Sequence, residues 1–208
     1  AFAMNLASGK AELDSCPYVS AEAREKLAEA SAPPILPVEI GKGVRKVTVG
    51  GETVMYRHEK TFYNPTVIAV KVPSDIKDKE LKAKLKKWNA FQYERVGLNL
   101  RPELVVVADA NGNKDAFAKT AKTIAETSEF NVILMSDNAD VMKAGVEACK
   151  FKKPLIYAAT AATVDAYGAL AKENELPLAV KADSVEALIP VRDKLGGMGL
   201  KKLVSDLG

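Results

Sequence analysis

LVVVADANGNKDAFAKTAKTIAETSEFNVILMSD, Leu104–Asp137, is the stretch that decides the fold. Its ends, LVVVA (Leu104–Ala108) and NVILM (Asn131–Met135), are near-continuous apolar runs without alternation. Strands read this way when both faces are covered, as in a parallel sheet clad by helices. Between the runs, Phe117, Ala121 and Ile124 recur at spacings of four and three, the stripe of an amphipathic helix. Strand, helix and parallel strand make a right-handed βαβ unit.

The unit repeats on both sides. Further runs are TVIAVKV (Thr66–Val72), PLIYAA (Pro154–Ala159), PLAV (Pro177–Val180) and KKLVS (Lys201–Ser205). The helical segments between them carry the stripes Leu81, Leu85, Trp88 and Met142, Val146, Cys149. Asp137, Thr163 and Ser184 stand where N-caps are expected. A proline inside a helix costs about 3 kcal/mol, so Pro190 predicts a kink in SVEALIPVRDKL or two short helical pieces. Gly196, Gly197 and Gly199 then end that segment. The period of about 25 to 30 residues suits βα units and not a solenoid. The fold class is therefore α/β with about six βα strands. They belong either to an open sheet or to an eight-stranded barrel, and periodicity leaves both open.

Upstream, residues 1–13 read as a helix that stops at Asp14-Ser15-Cys16-Pro17, and Ser20 can cap a second helix, AEAREKLAEA. Pro33, Pro34 and Pro37 predict a stiff linker and a domain boundary. KVTV and TVMYR, joined through Gly50-Gly51-Glu52, predict a β-hairpin.

Composition narrows the function. Thirty basic and 27 acidic residues leave a formal charge of +3. The lysines are spread over helix faces, as in KDKELKAKLKKW, which argues for solvated surface and against nucleic-acid binding. No apolar run approaches the ~18 residues of a membrane span, and no signal peptide is legible in AFAMNLASGK. Two distant cysteines are not a disulfide framework and suggest a reducing, cytoplasmic setting. The start without Met and the finish at LVSDLG suggest a piece of a longer chain.

Three groups could carry chemistry. Cys16, in LDSCPYV, has the proline that follows the last ligand of an iron–sulfur run, although alone it is a quarter of a site. Cys149 falls on the apolar side of its helix, where a buried inert thiol is expected. His58, the only histidine, has no second histidine for a metal site and is expected to be structural or superficial. Finally, Asp109, Asp137, Thr160, Asp183 and Asp206 follow the ends of strands, where α/β folds bind ligands and where helix caps also sit. There is no GxGxxG, P-loop, GxSxG or HExxH. Gly41-Lys42-Gly43 is a lone glycine pair that carries no signal.

The segment AFAMNLASGKAELDSCPYVSAEAREKLAEASAPPI resembles the iron–sulfur segment of the large (gamma) subunit of corrinoid iron–sulfur proteins, of the carbon monoxide dehydrogenase/acetyl-CoA synthase (Wood–Ljungdahl) pathway. The likeness continues through ETVMYRHEKTFYNPT, ELVVVAD, NVILMSD, PLIYAAT and LAKENELPLAV. It implies that Cys16 is the fourth ligand of a [4Fe–4S] cluster whose other three ligands lie upstream. It also implies an incomplete TIM-barrel domain over 66–208, a Pro-rich linker and hairpin over 33–65, and the end of a cluster domain over 1–32. The implied function is that of a methyl carrier. A cobalt corrinoid bound elsewhere takes a methyl group from methyltetrahydrofolate, or a related methyl-pterin, and delivers it to acetyl-CoA synthase. The cluster reactivates oxidised cobalt. Implied partners are the small subunit, the methyltetrahydrofolate methyltransferase and acetyl-CoA synthase/CO dehydrogenase. These 208 residues alone are expected to assemble neither cluster nor corrinoid site, and to be marginally soluble because an incomplete barrel leaves strand edges unpaired. Two other readings stand beside this one: a pterin-binding barrel methyltransferase using Asp109, Asp137 and Asp206, and a non-catalytic barrel scaffold.

Overall fold

A computed structural model describes Ser20 and residues 35–208, apart from positions 52, 57, 58 and 63; for 52–63 only the backbone is described. Cys16, His58 and both upstream helical readings lie outside the described residues. Pro37–Gly208 forms one compact unit.

That unit opens with four short strands, β1 (Val38–Ile40), β2 (Val47–Val49), β3 (Thr53–Tyr56) and β4 (Glu59–Phe62). Then come β5 (Ala69–Pro73), α1 (Asp78–Ala90), a hairpin of β6 (Tyr93–Arg95) and β7 (Leu98–Leu100), β8 (Leu104–Ala108) and α2 (Lys114–Thr127). The remainder is β9 (Asn131–Met135), α3 (Ala139–Cys149), β10 (Leu155–Ala159), α4 (Val164–Asn174), β11 (Leu178–Lys181), α5 (Val185–Gly197) and β12 (Leu203–Asp206).

Six strands make one sheet in the order β5-β8-β9-β10-β11-β12, and every pairing is parallel. The spatial order is the chain order. A doubly wound sheet reverses its order and carries helices on both faces. Here Val72, Val105, Val107, Val132, Leu134, Ile156, Ala159, Leu178 and Val180 pack into one core with residues of all five helices. The alternate residues Leu104, Val106, Ile133, Leu155, Ala158 and Ala179 face the other way and pack with Val38 and Ile40 of β1. The five described helices thus cover one face, as right-handed crossovers in a single direction require. The fold is α/β with a six-stranded parallel sheet, an arrangement consistent with part of a barrel.

Helix packing follows the sequence stripes. Phe117, Ala121, Ile124, Met142, Val146 and Cys149 are all fully buried. Gly145 lets α3 approach α2, since a Cβ there would lie 2.4 Å from the Phe117 ring. Burial pushes the Cys149 thiol up to about 12, and its Sγ donates to the Gly145 carbonyl, so it is the inert thiol expected.

Several expectations are corrected. KVTV and TVMYR do not pair with each other: β2 pairs with β1, and β3 pairs with β4. Gly50 and Gly51, at φ +77° and +95°, link two hairpins and are not the tip of one. The N-cap of α3 is Asn138, which accepts from the Asp140 and Val141 amides, and not Asp137. Ser184 caps α5 through the Ala187 amide, whereas Thr163 stands at the N-cap of α4 without bonding its first-turn amides. Of the two outcomes expected at Pro190, the division into two short pieces is the one overturned: the proline sits inside one continuous helix, Val185–Gly197. It is the sixth residue, so the interruption removes only the bond its missing N–H would make to the first turn. The β6–β7 hairpin has no counterpart in the sequence reading. Its turn, Val96-Gly97, puts both residues at positive φ, as a two-residue type I′ loop requires, without the usual Asn or Asp to announce it.

Candidate functional site

The two ends of the parallel sheet are built from different residues. At the N-terminal end, the β1–β2 hairpin is locked down by Arg45 and Asn131. The Asn131 amide donates to the Arg45 carbonyl at 2.8 Å and accepts from the Lys42 N–H at 3.0 Å, and Asn131 is fully buried. Gly41 donates to the Lys153 carbonyl. At φ +84° it packs so closely that a Cβ would lie 2.0 Å from the Asn131 side chain. The Arg45 guanidinium is 4% exposed; it donates to the Pro102 carbonyl at 2.8 Å and to Asn89 Oδ1 at 2.6 Å. It also stacks 4.4 Å above the Phe130 ring centroid, a cation–π contact. Asn131 is spent on the backbone of the hairpin and the Arg45 guanidinium on Pro102 and Asn89, while the buried Arg45 Nε lies 3.7 Å from Glu129 Oε2 without a hydrogen bond.

At the C-terminal end lies an open depression of about 600 Å³ lined by Lys71, Asp109, Met135, Ser136, Asp137 and Asn138, among others. A second, of about 240 Å³, shares Lys71, Met135 and Asp137 and adds Tyr157, Ala158, Thr160 and Lys181. The sequence named Asp109, Asp137, Thr160, Asp183 and Asp206 for this rim. The first three line the depressions, Asp206 is the last residue of β12, and Asp183 lines neither.

The rim acids have unequal tasks. Asp109 accepts from the Ser136 hydroxyl at 2.8 Å and from the Asn111 and Gly112 amides, so it shapes its own loop. Asp206 accepts from the Tyr157 hydroxyl and from the Gly208 amide. The Tyr157 bond, the Gly208 bond and the positive Lys181 hold its carboxyl below the usual carboxylate range. Burial, with Asp206 beside it, pushes Tyr157 up to about 12. Tyr167, beneath the rim, donates to the Ser136 carbonyl at 2.6 Å, and burial first, then Asp137 and Asp109, push it up to about 12. Asp137 is exposed and makes no hydrogen bond or ion pair among the described residues. Thr160 is held by Thr163, whose Oγ1 accepts from the Thr160 amide.

The sequence reading missed Lys71 and Lys181. A lysine interrupting AVKVP and another ending LAVK were the available signal, since charged residues rarely enter parallel strands. Tyr157 was missed because it depends on an irregularity in β10. The register between β10 and β11 shifts there, and Tyr157 and Ala158 both face away from the helices while Ile156 and Ala159 face them. Such irregularities re-aim side chains near sites.

Metal binding finds no support in this unit: among the described residues no group of three or more His, Cys, Asp and Glu could hold an ion. An iron–sulfur cluster needs converging thiolates, and the one described cysteine, Cys149, is buried, with its thiol raised by burial. The described residues therefore do not fit a cluster.

A parallel α/β unit with a polar cavity at the C-terminal edge of its strands is the general build of ligand-handling α/β domains. The chain belongs to the CdhD family, CO dehydrogenase/acetyl-CoA synthase delta subunit, whose model matches residues 37–208. It is 44% identical over 208 residues, all of the chain and 47% of the relative, to the corrinoid/iron-sulfur protein large subunit of Moorella thermoacetica. It is 37% identical over 191 residues, 91% of the chain and 41% of the relative, to the acetyl-CoA decarbonylase/synthase complex subunit gamma of Methanopyrus kandleri. The subunit gamma of Methanothermobacter thermautotrophicus is 31% identical over 209 residues, all of the chain and 45% of that protein. The chain spans about half the length of these curated relatives.

Proposed function

We propose that the chain is part of a methyl-carrier subunit of an acetyl-CoA synthase/CO dehydrogenase system. A methyl group from methyltetrahydrofolate, or another methyl-tetrahydropterin, would pass through a cobalt corrinoid to acetyl-CoA synthase. The observation that carries this reading is the 44% identity over 208 residues, all of the chain, to a protein named corrinoid/iron-sulfur protein large subunit.

Within this reading, Cys16 is a ligand of a [4Fe–4S] cluster and residues 1–32 belong to the domain that holds it. Residues 33–65 connect it to the parallel unit. No step of methyl transfer is assigned to the sheet, and the corrinoid is held outside these 208 residues. We read the six strands as three-quarters of an eight-stranded TIM barrel. In support, the strand order is sequential, the five described helices share one face and β5 and β12 are the outermost strands of the sheet among the described residues. The partners are the small subunit, the methyltransferase and the synthase, in the cytoplasm. No helix among the described residues is long and apolar enough to cross a membrane.

The pterin-binding alternative requires Asp109, Asp137 and Asp206 to hold one ring. Two of the three carboxylates already serve Ser136, Tyr157 and backbone amides, which disfavours it. The test is anaerobic isolation of the full-length protein followed by corrinoid analysis and transfer of labelled methyl from methyltetrahydrofolate with the methyltransferase present. Stoichiometric corrinoid that takes up the label is expected; a protein without corrinoid that binds the pterin directly would overturn the reading.

A further inference from the structure

We propose that the mouth lined by Lys71, Asp137, Tyr157, Thr160 and Lys181 is a binding site for a small anionic molecule, held through a phosphate or carboxylate group. Both lysines stand on the sheet face turned away from the helices. Lys71 pairs in register with Val106, a member of the apolar cluster on that face. Lys181 pairs with Asp206, two residues beyond the pair Ala179 and Val204 of the same cluster. Lys71 is exposed and Lys181, the last residue of β11, is half-buried, so both ammonium groups are open to a ligand in the cavity that they line.

Among the described residues neither lysine has an ion pair, although ten other basic side chains do. Of the neighbouring carboxylates, Asp137 lines the same cavity without an ion pair to either lysine, and Asp206, in register with Lys181, feels its charge without a contact pair. Asp109 is taken by Ser136 and its own loop, and Asp206 by Tyr157 and Gly208. The strands' C-terminal edge is also where the N-termini of α3, α4 and α5 gather, each a partial positive charge. Asn138 and Ser184 cap two of these, whereas α4 begins without a side-chain bond to its first-turn amides.

The charges therefore converge on a cavity, and its other lining sets the ligand's remaining features. Met135 and Ala158 offer an apolar floor, and Asp137, without a partner of its own, accepts from a donor on the ligand. Thr160 adds a hydroxyl shared only with Thr163. A phosphate ester and a carboxylic acid share the chemistry the lysines would recognise.

The test titrates the full-length protein with inorganic pyrophosphate and, separately, with succinate, following heat by calorimetry at low and raised salt. The expected result is saturable, salt-sensitive binding of at least one anion, and the arm that binds tells phosphate from carboxylate. Lys71→Met and Lys181→Met, which keep the aliphatic stems, should each weaken it about tenfold, while Lys143→Met on exposed α3 surface leaves it unchanged. Should a variant misfold, the unaltered protein still decides, because bound anion should shield Lys71 and Lys181, and not Lys143, from acetylation. No saturable binding of either anion, equal binding by both mouth variants, or shielding of Lys143 alone would overturn the proposal.

Discussion

The same parallel strands end in two unlike ways. At their N-terminal ends Asn131 binds the backbone of the hairpin, the buried Arg45 guanidinium donates to the Pro102 carbonyl and to Asn89, and Gly41 has no room for a side chain. At their C-terminal ends, Lys71, Asp137 and Lys181 line open cavities without contact partners. Stability is concentrated where polar groups are paired and buried, and chemistry is left where they are not. This is the division of labour expected between the two ends of a βα array.

Substitutions at the two ends should therefore diverge, and the largest effect belongs to Gly41→Ala. It forces a Cβ into Asn131 and keeps a non-glycine residue at positive φ, so a loss of about 3–4 kcal/mol is expected by urea unfolding. Arg45→Met should follow at about 3 kcal/mol, because it strips the Pro102 carbonyl and Asn89 of their donor and removes the stack on Phe130. At the mouth, Tyr157→Phe removes one hydrogen bond to Asp206 and should lower stability by about 1 kcal/mol. Smallest are Lys71→Met and Asp137→Asn, each expected within about 0.5 kcal/mol of the parent. Mouth substitutions that destabilise as strongly as Gly41→Ala would erase the distinction.

The pH dependence sharpens the same contrast. Asp206 is depressed in the fold, so its contribution is present above its unfolded value of about 3.9 and fades as pH falls through the lower folded value. Tyr157 and Tyr167 are raised to about 12, so their contribution is full below about pH 10 and is lost as pH rises through the folded value. Tyr157→Phe should weaken the acid dependence and remove part of the alkaline one, measured by unfolding at stepped pH. An unchanged profile would break the Tyr157–Asp206 link.

Much of this was legible in the chain. LVVVA and NVILM stated buried parallel strands, and Phe117, Ala121 and Ile124 stated the helix between them, because burial on both faces favours apolar residues along the whole strand, with Asn131 the one polar exception. What could not be read was partnership. KVTV flanks Gly50-Gly51 as a hairpin arm should, yet β2 pairs backwards with Val38–Ile40, a choice made by packing against the sheet's inner face. The rim acids were visible as positions, but only coordinates separate Asp109, bound to its own loop, from Asp137, which is not. The lysines of the mouth were hidden in plain strand sequence because Lys71 and Lys181 gain meaning from the face they occupy.

The methyl-carrier reading turns on the unlike fates of two cysteines, and iron analysis with electron paramagnetic resonance of the reduced full-length protein, isolated anaerobically, tests it most directly. Cys16→Ser should lose the [4Fe–4S] signal, while Cys149→Ser, altering a thiol buried between helices, should retain it. A full cluster in the Cys16→Ser protein would contradict the account.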